Sequence, residues 1–126
     1  MSTRLEHVNF TVSDIDATAA LYSKLFGWKI RWKGDSIHGG TSIHIGNGDS
    51  YVALYQPTHQ KAAKEDSYFT TCGMNHIAVV VDDLDAVEAR VIAAGLTPGS
   101  HADYEPGRRF YFDDPDGVEI EVVSYA

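Results

Sequence analysis

Apolar and polar positions alternate through Val8, Phe10 and Val12, and again through Ile77, Val79 and Val81, the two-residue period of a strand with one covered face. After each run the apolar spacing changes to three and four residues, through Ile15, Ala19, Tyr22 and Leu25 and then Leu84, Val87, Val91 and Ala94. That spacing predicts two amphipathic helices, with Asp14 and Asp83 as N-caps and Gly27 and Gly95 at the ends. Extended segments follow at about 28–33, 41–46 and 50–56, and at about 96–103, 108–113 and 118–125. The order is β-α-β-β-β, twice.

The two halves are related in sequence as well as in pattern. Leu5 to Val12 is echoed by Met74 to Val81, and Asp14-Ile15-Asp16-Ala17 by Asp83-Leu84-Asp85-Ala86, both at an offset of 69. One lost residue then maps Tyr51 to Tyr55 onto Glu119 to Val123 at an offset of 68. The chain therefore reads as one domain over 1–126, made of repeats 1–56 and 73–126 joined by a polar, irregular linker, 57–72. The fold class is α+β: two βαβββ modules forming a curved, cup-shaped mixed sheet with helices on the outer face.

The strand residues left over from the helix-covered face are chemically uneven. They are His7, Asn9 and Thr11, then His76, Ala78 and Val80, on the opening strands; Tyr51, Ala53 and Tyr55, then Glu119 and Glu121, on the closing strands; and Ser42 with His44, and Arg109 with Tyr111, between them. The repeat makes His7 and His76 mates, and Ala53 the mate of Glu121. Two neutral imidazoles and one carboxylate suit divalent iron, manganese, nickel, cobalt or zinc and leave positions open on the ion. The alternative is that the strand histidines are structural hydrogen-bonding residues. Arg109 either holds an anionic group of a ligand or pairs with Glu119 or Glu121 across the strands. Tyr111 is placed to donate to an oxyanion, and His44 is either a general base or a buried hydrogen-bonded residue. Asn9, Tyr51 and Tyr55 share that face as substrate-facing candidates.

Other residues read as structural. Trp28, Ile30 and Trp32 share a strand face by alternation, with core packing or a pocket wall as the two roles open to the tryptophans. Arg108 points away from Arg109 or into the turn, His38, His59 and His101 are solvated, and Asp114 to Gly117 form a hairpin turn.

Composition narrows the function classes. Of 126 residues, 44% are apolar and 22% charged, as in an ordinary globular protein. The net charge of -8 argues against nucleic acid as a partner. The acidic excess lies in the second half: residues 1–72 hold seven basic and seven acidic side chains, residues 73–126 three and eleven. No apolar run approaches the ~18 residues of a membrane span, and the first residues lack a signal-peptide apolar region, so the expected location is the cytoplasm. The single cysteine, Cys72, forms no internal disulfide and sits in no nucleophile pattern.

Four segments together carry a family resemblance: Leu5-Glu6-His7-Val8, Ala20 to Trp28, Asn75-His76-Ile77-Ala78-Val79, and Phe110-Tyr111-Phe112-Asp113-Asp114-Pro115-Asp116-Gly117-Val118-Glu119-Ile120-Glu121. Over nearly its whole length the chain resembles the vicinal oxygen chelate superfamily. That superfamily includes glyoxalase I, methylmalonyl-CoA epimerase, extradiol dioxygenases, fosfomycin-resistance thiol transferases and bleomycin-binding proteins. The resemblance implies metal ligands at His7, His76 and Glu121, and at position 53, where glyoxalase I has Glu and the epimerase Gln. Ala53 departs from both, and the remaining His-His-Glu set is similar to that of the dioxygenases and thiol transferases. The loop Tyr104-Glu105-Pro106-Gly107-Arg108-Arg109 lacks the Lys and Ser with which the fosfomycin enzymes hold phosphonate and potassium. The chain is also about half the length of the two-domain dioxygenases.

The expectation is a homodimeric, divalent-metal-dependent enzyme of lyase, isomerase or dioxygenase type acting on a small oxygen-chelating substrate, with Glu121 as both ligand and base. The rival reading is a metal-free protein that sequesters a small molecule among Tyr51, Tyr55, Tyr111 and a tryptophan, as the bleomycin-resistance type does.

Overall fold

The computed structural model describes residues 2–62, 66–104 and 107–126; residues 63–65 of the linker and 105–106 of the loop quoted above lie outside them. The chain divides within the linker into two compact units, Met1–Lys61 and Ala62–Ala126. Each unit carries its own four-stranded mixed sheet and one long helix.

In the first unit, β1 (His7–Thr11), α1 (Ile15–Phe26), β2 (Lys29–Asp35), β3 (Thr41–Asn47) and β4 (Ser50–Gln56) follow the predicted order. The sheet order is β1-β4-β3-β2, with β1 parallel to β4 and the other pairs antiparallel. α1 starts where Asp14, in extended conformation, accepts a hydrogen bond from the Ala17 amide, and it stops at Gly27, whose φ of 72° favours a residue without a Cβ. Its buried stripe of Ile15, Ala19, Tyr22 and Leu25 packs on the sheet face that carries Ile43, Ile45, Val52 and Leu54. Each large side chain buried this way contributes roughly 1.5–3 kcal/mol. Gln56, at the end of β4, accepts from the first helical amide, Ile15, and so ties the closing strand to the helix entry.

The second unit repeats the plan with β5 (Ile77–Val80), α2 (Leu84–Ala93), β6 (Gly99–Tyr104), β7 (Gly107–Asp113) and β8 (Glu119–Ser124), ordered β5-β8-β7-β6. Asp83 caps α2 through the Ala86 amide, and Leu84, Val87, Val91, Phe110, Phe112, Ile120 and Val122 are buried. The β7–β8 turn is organised by Asp114, whose carboxylate accepts from the amides of Asp116 and Val118. A short 3-10 turn, Ser67–Phe69, interrupts the expected irregular linker.

Both outermost strands carry an extra residue. In β2, Ile30 pairs with Ile45 but Trp32 pairs with His44; in β6, Gly99 pairs with Tyr111 but Ala102 pairs with Arg109, around Ser100 at φ 51°. A bulge reverses the facing of everything beyond it. The expectation that Trp28, Ile30 and Trp32 share a face is corrected on this ground. Trp28 packs against Tyr22 and Phe26 on the helix side, whereas Trp32 lies on the opposite face against His44.

Candidate metal and substrate site

Strand register brings the acidic and cationic groups of the second unit together. Glu121 stands on the central strand β8, flanked by Ala78 on β5 and Tyr111 on β7. Its residue is 7% exposed, so its charge needs partners. One carboxylate oxygen, Oε2, accepts from Arg109 Nη1 at 2.8 Å, and the other, Oε1, lies 3.2 Å from His76 Nε2. Arg109 thus takes the cross-strand pairing that was one of its two readings, while Arg108 turns to Asp85 of α2, as alternation requires.

The second nitrogen of His76 is also engaged. Nδ1 lies 3.3 Å from the Tyr68 hydroxyl and 3.6 Å from Glu119 Oε1, and Tyr68 donates to that same oxygen at 2.7 Å. This bond pushes the Tyr68 phenol up to about 12, because the neighbouring carboxylate disfavours phenolate. The ring edge of His76 meets Tyr111, and Tyr111, Tyr68, Glu119 and Ser100 line an open cleft of about 300 Å³.

The spacing of this donor set suits a divalent ion. Two ligands each ~2.0–2.2 Å from one ion stand roughly 3 Å apart, and Nε2 of His76 and Oε1 of Glu121 meet that separation with opposite-facing support on both residues. A neutral imidazole nitrogen and a carboxylate oxygen fit iron, manganese, nickel, cobalt or zinc. Among the described residues, no group of three or more His, Cys, Asp or Glu is gathered to hold an ion. The second unit therefore presents two donors of the predicted three.

The first unit carries the third, His7, within an aromatic stack. His7 and His44 both stack on Tyr51, at centroid separations of 4.9 and 4.7 Å, and Trp32 lies 5.0 Å from His44. The Arg31 guanidinium sits 4.7 Å from the centre of the Tyr51 ring. Burial, and then the neighbouring His7, lower the pKa of His44, which favours the neutral imidazole a general base requires. Glu6 accepts from the Tyr51 hydroxyl and lies 2.9 Å from His7 Nδ1; these bonds, that to His7 first, hold its carboxyl below the usual range, and the bond to Glu6 raises the Tyr51 phenol. Ala53 is buried between Asn9 and His44, with Asn9 exposed. Tyr55 spends its hydroxyl on the Ile37 carbonyl at 2.6 Å, a structural bond across the turn before β3.

Glu6, Tyr68 and the role of Glu119 escaped the sequence reading. Glu119 was visible as a face-mate of Glu121 two positions away, but Tyr68 sits in a linker without periodicity, where no signal marks it. His101, read as solvated, is paired with Glu88 at 2.8 Å and remains largely exposed.

Residues 4–122 match the family model described as the Glyoxalase/Bleomycin resistance protein/Dioxygenase superfamily. Glutathione transferase FosA of Serratia marcescens is 29% identical over 123 residues, which cover 94% of this chain and 78% of that one. The crystal structure of the fosfomycin resistance protein FosX from Mesorhizobium loti superposes with a TM-score of 0.74 at 27% identity, covering 98% of this chain and 92% of that one. A glyoxylase/bleomycin resistance protein/dioxygenase domain from Frankia sp. EAN1pec, at 22% identity, gives 0.82 and covers 98% of both chains, a likeness of fold.

Proposed function

From the premise that this chain belongs to the glyoxalase/bleomycin resistance protein/dioxygenase superfamily, we propose that it is a divalent-metal-dependent enzyme whose small substrate offers two oxygens to the ion. The observation that carries this reading is the approach of His76 Nε2 to Glu121 Oε1 at 3.2 Å on an otherwise buried carboxylate. His76 and Glu121 would hold the ion, with His7, the repeat mate of His76, as the third ligand. When bound, the ion supplies Lewis-acid polarisation of the chelated oxygens.

The remaining roles fall to the chain's own groups. Arg109 holds Glu121 in place, Tyr111 presents a phenol to the cleft, and Glu121 is the group positioned to take a substrate proton. His44, whose pKa burial and then His7 lower, is the alternative base. Asn9, Tyr51 and Tyr55 are the proposed substrate-facing residues of the first unit. The functional unit is proposed to be a homodimer, since the outward strands of a βαβββ module are commonly covered by a second copy.

A second reading is kept because Arg109 already balances Glu121 without a metal. In it the protein sequesters a planar ligand against the Trp32, His44 and Tyr51 stack. Calorimetric titration of chelator-treated protein with cobalt, nickel, manganese and zinc separates the two. Saturable binding near one ion per chain, abolished by His76→Ala and by Glu121→Gln, supports the enzyme reading. Equal uptake by the wild type and the triple Ala variant at His7, His76 and Glu121 overturns the ligand assignment, and no uptake at all favours sequestration.

A further inference from the structure

Both repeat histidines have Nδ1 beside a tyrosine that donates to a glutamate. His7 Nδ1 and the Tyr51 hydroxyl meet one oxygen of Glu6, each at 2.9 Å. His76 Nδ1 faces the Tyr68 hydroxyl at 3.3 Å, and Tyr68 donates at 2.7 Å to one oxygen of Glu119, itself 3.6 Å from that nitrogen. The residues that build the two arrangements are not repeat mates in matching roles. Tyr51 and Glu119 occupy equivalent positions, yet one supplies the phenol of its pair and the other the carboxylate; Glu6 adjoins its histidine, whereas Tyr68 comes from the 3-10 turn. A duplicated module passes on its strands and helix, so an arrangement rebuilt from different positions points to a demand made by the histidine itself.

We infer that Glu6 with Tyr51, and Glu119 with Tyr68, are positioning pairs that keep the proton of each imidazole on Nδ1 and so present Nε2 as the bare donor. In the second unit the shorter bond decides where the phenol proton goes. Tyr68 gives it to Glu119, which leaves the phenol oxygen to accept from His76 Nδ1–H. Nε2 then carries its lone pair toward Glu121 Oε1 at 3.2 Å, an acceptor facing an acceptor, which is satisfied by a cation. Glu6 does the same for His7 more directly, although its side chain is 58% exposed against 29% for Glu119, so water competes harder there.

The inference rests on the metal reading for its purpose, and the test separates the two. Long-range proton–nitrogen correlation spectra of the chelator-treated protein report the imidazole tautomer with no metal present, and cobalt titration of the same samples reports affinity. In the wild type, neutral His76 and His7 are expected as the Nδ1–H tautomer. Tyr68→Phe and Glu119→Gln should each move His76 toward Nε2–H and weaken cobalt binding about 10- to 100-fold, in metal-free proteins that still melt cooperatively. Glu6→Gln should do the same at His7, by a smaller factor. If His76 keeps its tautomer in both second-unit variants, the positioning role is overturned, whatever the metal does. If the tautomer changes as expected while the wild type binds no cobalt, positioning stands and the metal reading falls. Tyr68→Trp, which keeps a donor but not an acceptor, should behave as Tyr68→Phe does.

Discussion

Ala53 pairs with His44 across β4 and β3 at the register position where, in the second unit, Glu121 pairs with Tyr111 across β8 and β7. The repeat had matched residues 53 and 121 by sequence alone, and the strand ladders match them again through their partners on the opening strands, Asn9 and Ala78. The side chain at 53 is therefore on the face of His7, His44 and Tyr51 and away from α1.

Ala53→Glu should bring a fourth carboxylate or imidazole ligand to the set. Position 53 is 2% exposed, so the metal-free variant is expected to lose at least about 2 kcal/mol, and desolvation should push the new carboxyl's pKa up. Divalent metal should then bind more tightly than in the wild type and recover stability. Thermal melting with and without metal, beside a calorimetric titration, reads both; a folded variant with unchanged affinity would remove position 53 from the metal's surroundings.

Arg109→Met tests the charge balance at Glu121. Both side chains are largely buried, 13% and 9% exposed, and removing the guanidinium leaves one oxygen of the carboxylate without its cation. The expected cost is about 3–5 kcal/mol in chelator-treated protein. A bound divalent ion would supply the missing charge, so added metal should raise the melting temperature of the variant by more than that of the wild type. Equal increments in the two proteins would count against an ion at Glu121.

Alkaline titration followed by phenolate absorbance should show one tyrosine ionising late, near pH 12, and Tyr68→Phe should delete that step. The sign follows from the raised folded value. The bond to Glu119 adds stability below the ordinary tyrosine pKa near 10, and that stability is lost as the pH rises from about 10 to about 12. Glu119→Gln, which removes the carboxylate's charge, should move the step back toward 10.

Asp114→Ala should destabilise the second unit by about 1–3 kcal/mol, since the Asp116 and Val118 amides lose an acceptor that is itself 4% exposed. Denaturant melts of Asp114→Ala and Asp114→Asn give the comparison. The amide keeps an acceptor oxygen and should cost less, and an equally large loss in both would assign the effect to the negative charge.

The sequence carried the modules, caps and polar face because each rests on a short-range rule. Two-residue alternation placed His7 with Asn9 and Arg109 with Tyr111, and an aspartate directly before each three- and four-residue apolar stripe placed both helix starts. Trp32 was misplaced because a bulge is a single inserted residue that leaves no mark in an apolar period. Tyr68 was missed for another reason: it reaches Glu119 across 51 residues from a segment with no period to read. The pairing of Arg109 with Glu121 was legible only as one of two options, because alternation fixes the face a side chain takes and leaves its partner on that face undecided.

The bulges in β2 and β6 also blunt one edge of each sheet. Both occupy the outermost strand on the side away from β1 or β5, so the amide row there is broken in register and cannot template a regular new strand. The row along β1 or β5 has no such interruption and is only five or four residues long. A peptide added edge to edge at β2 or β6 would meet that broken register.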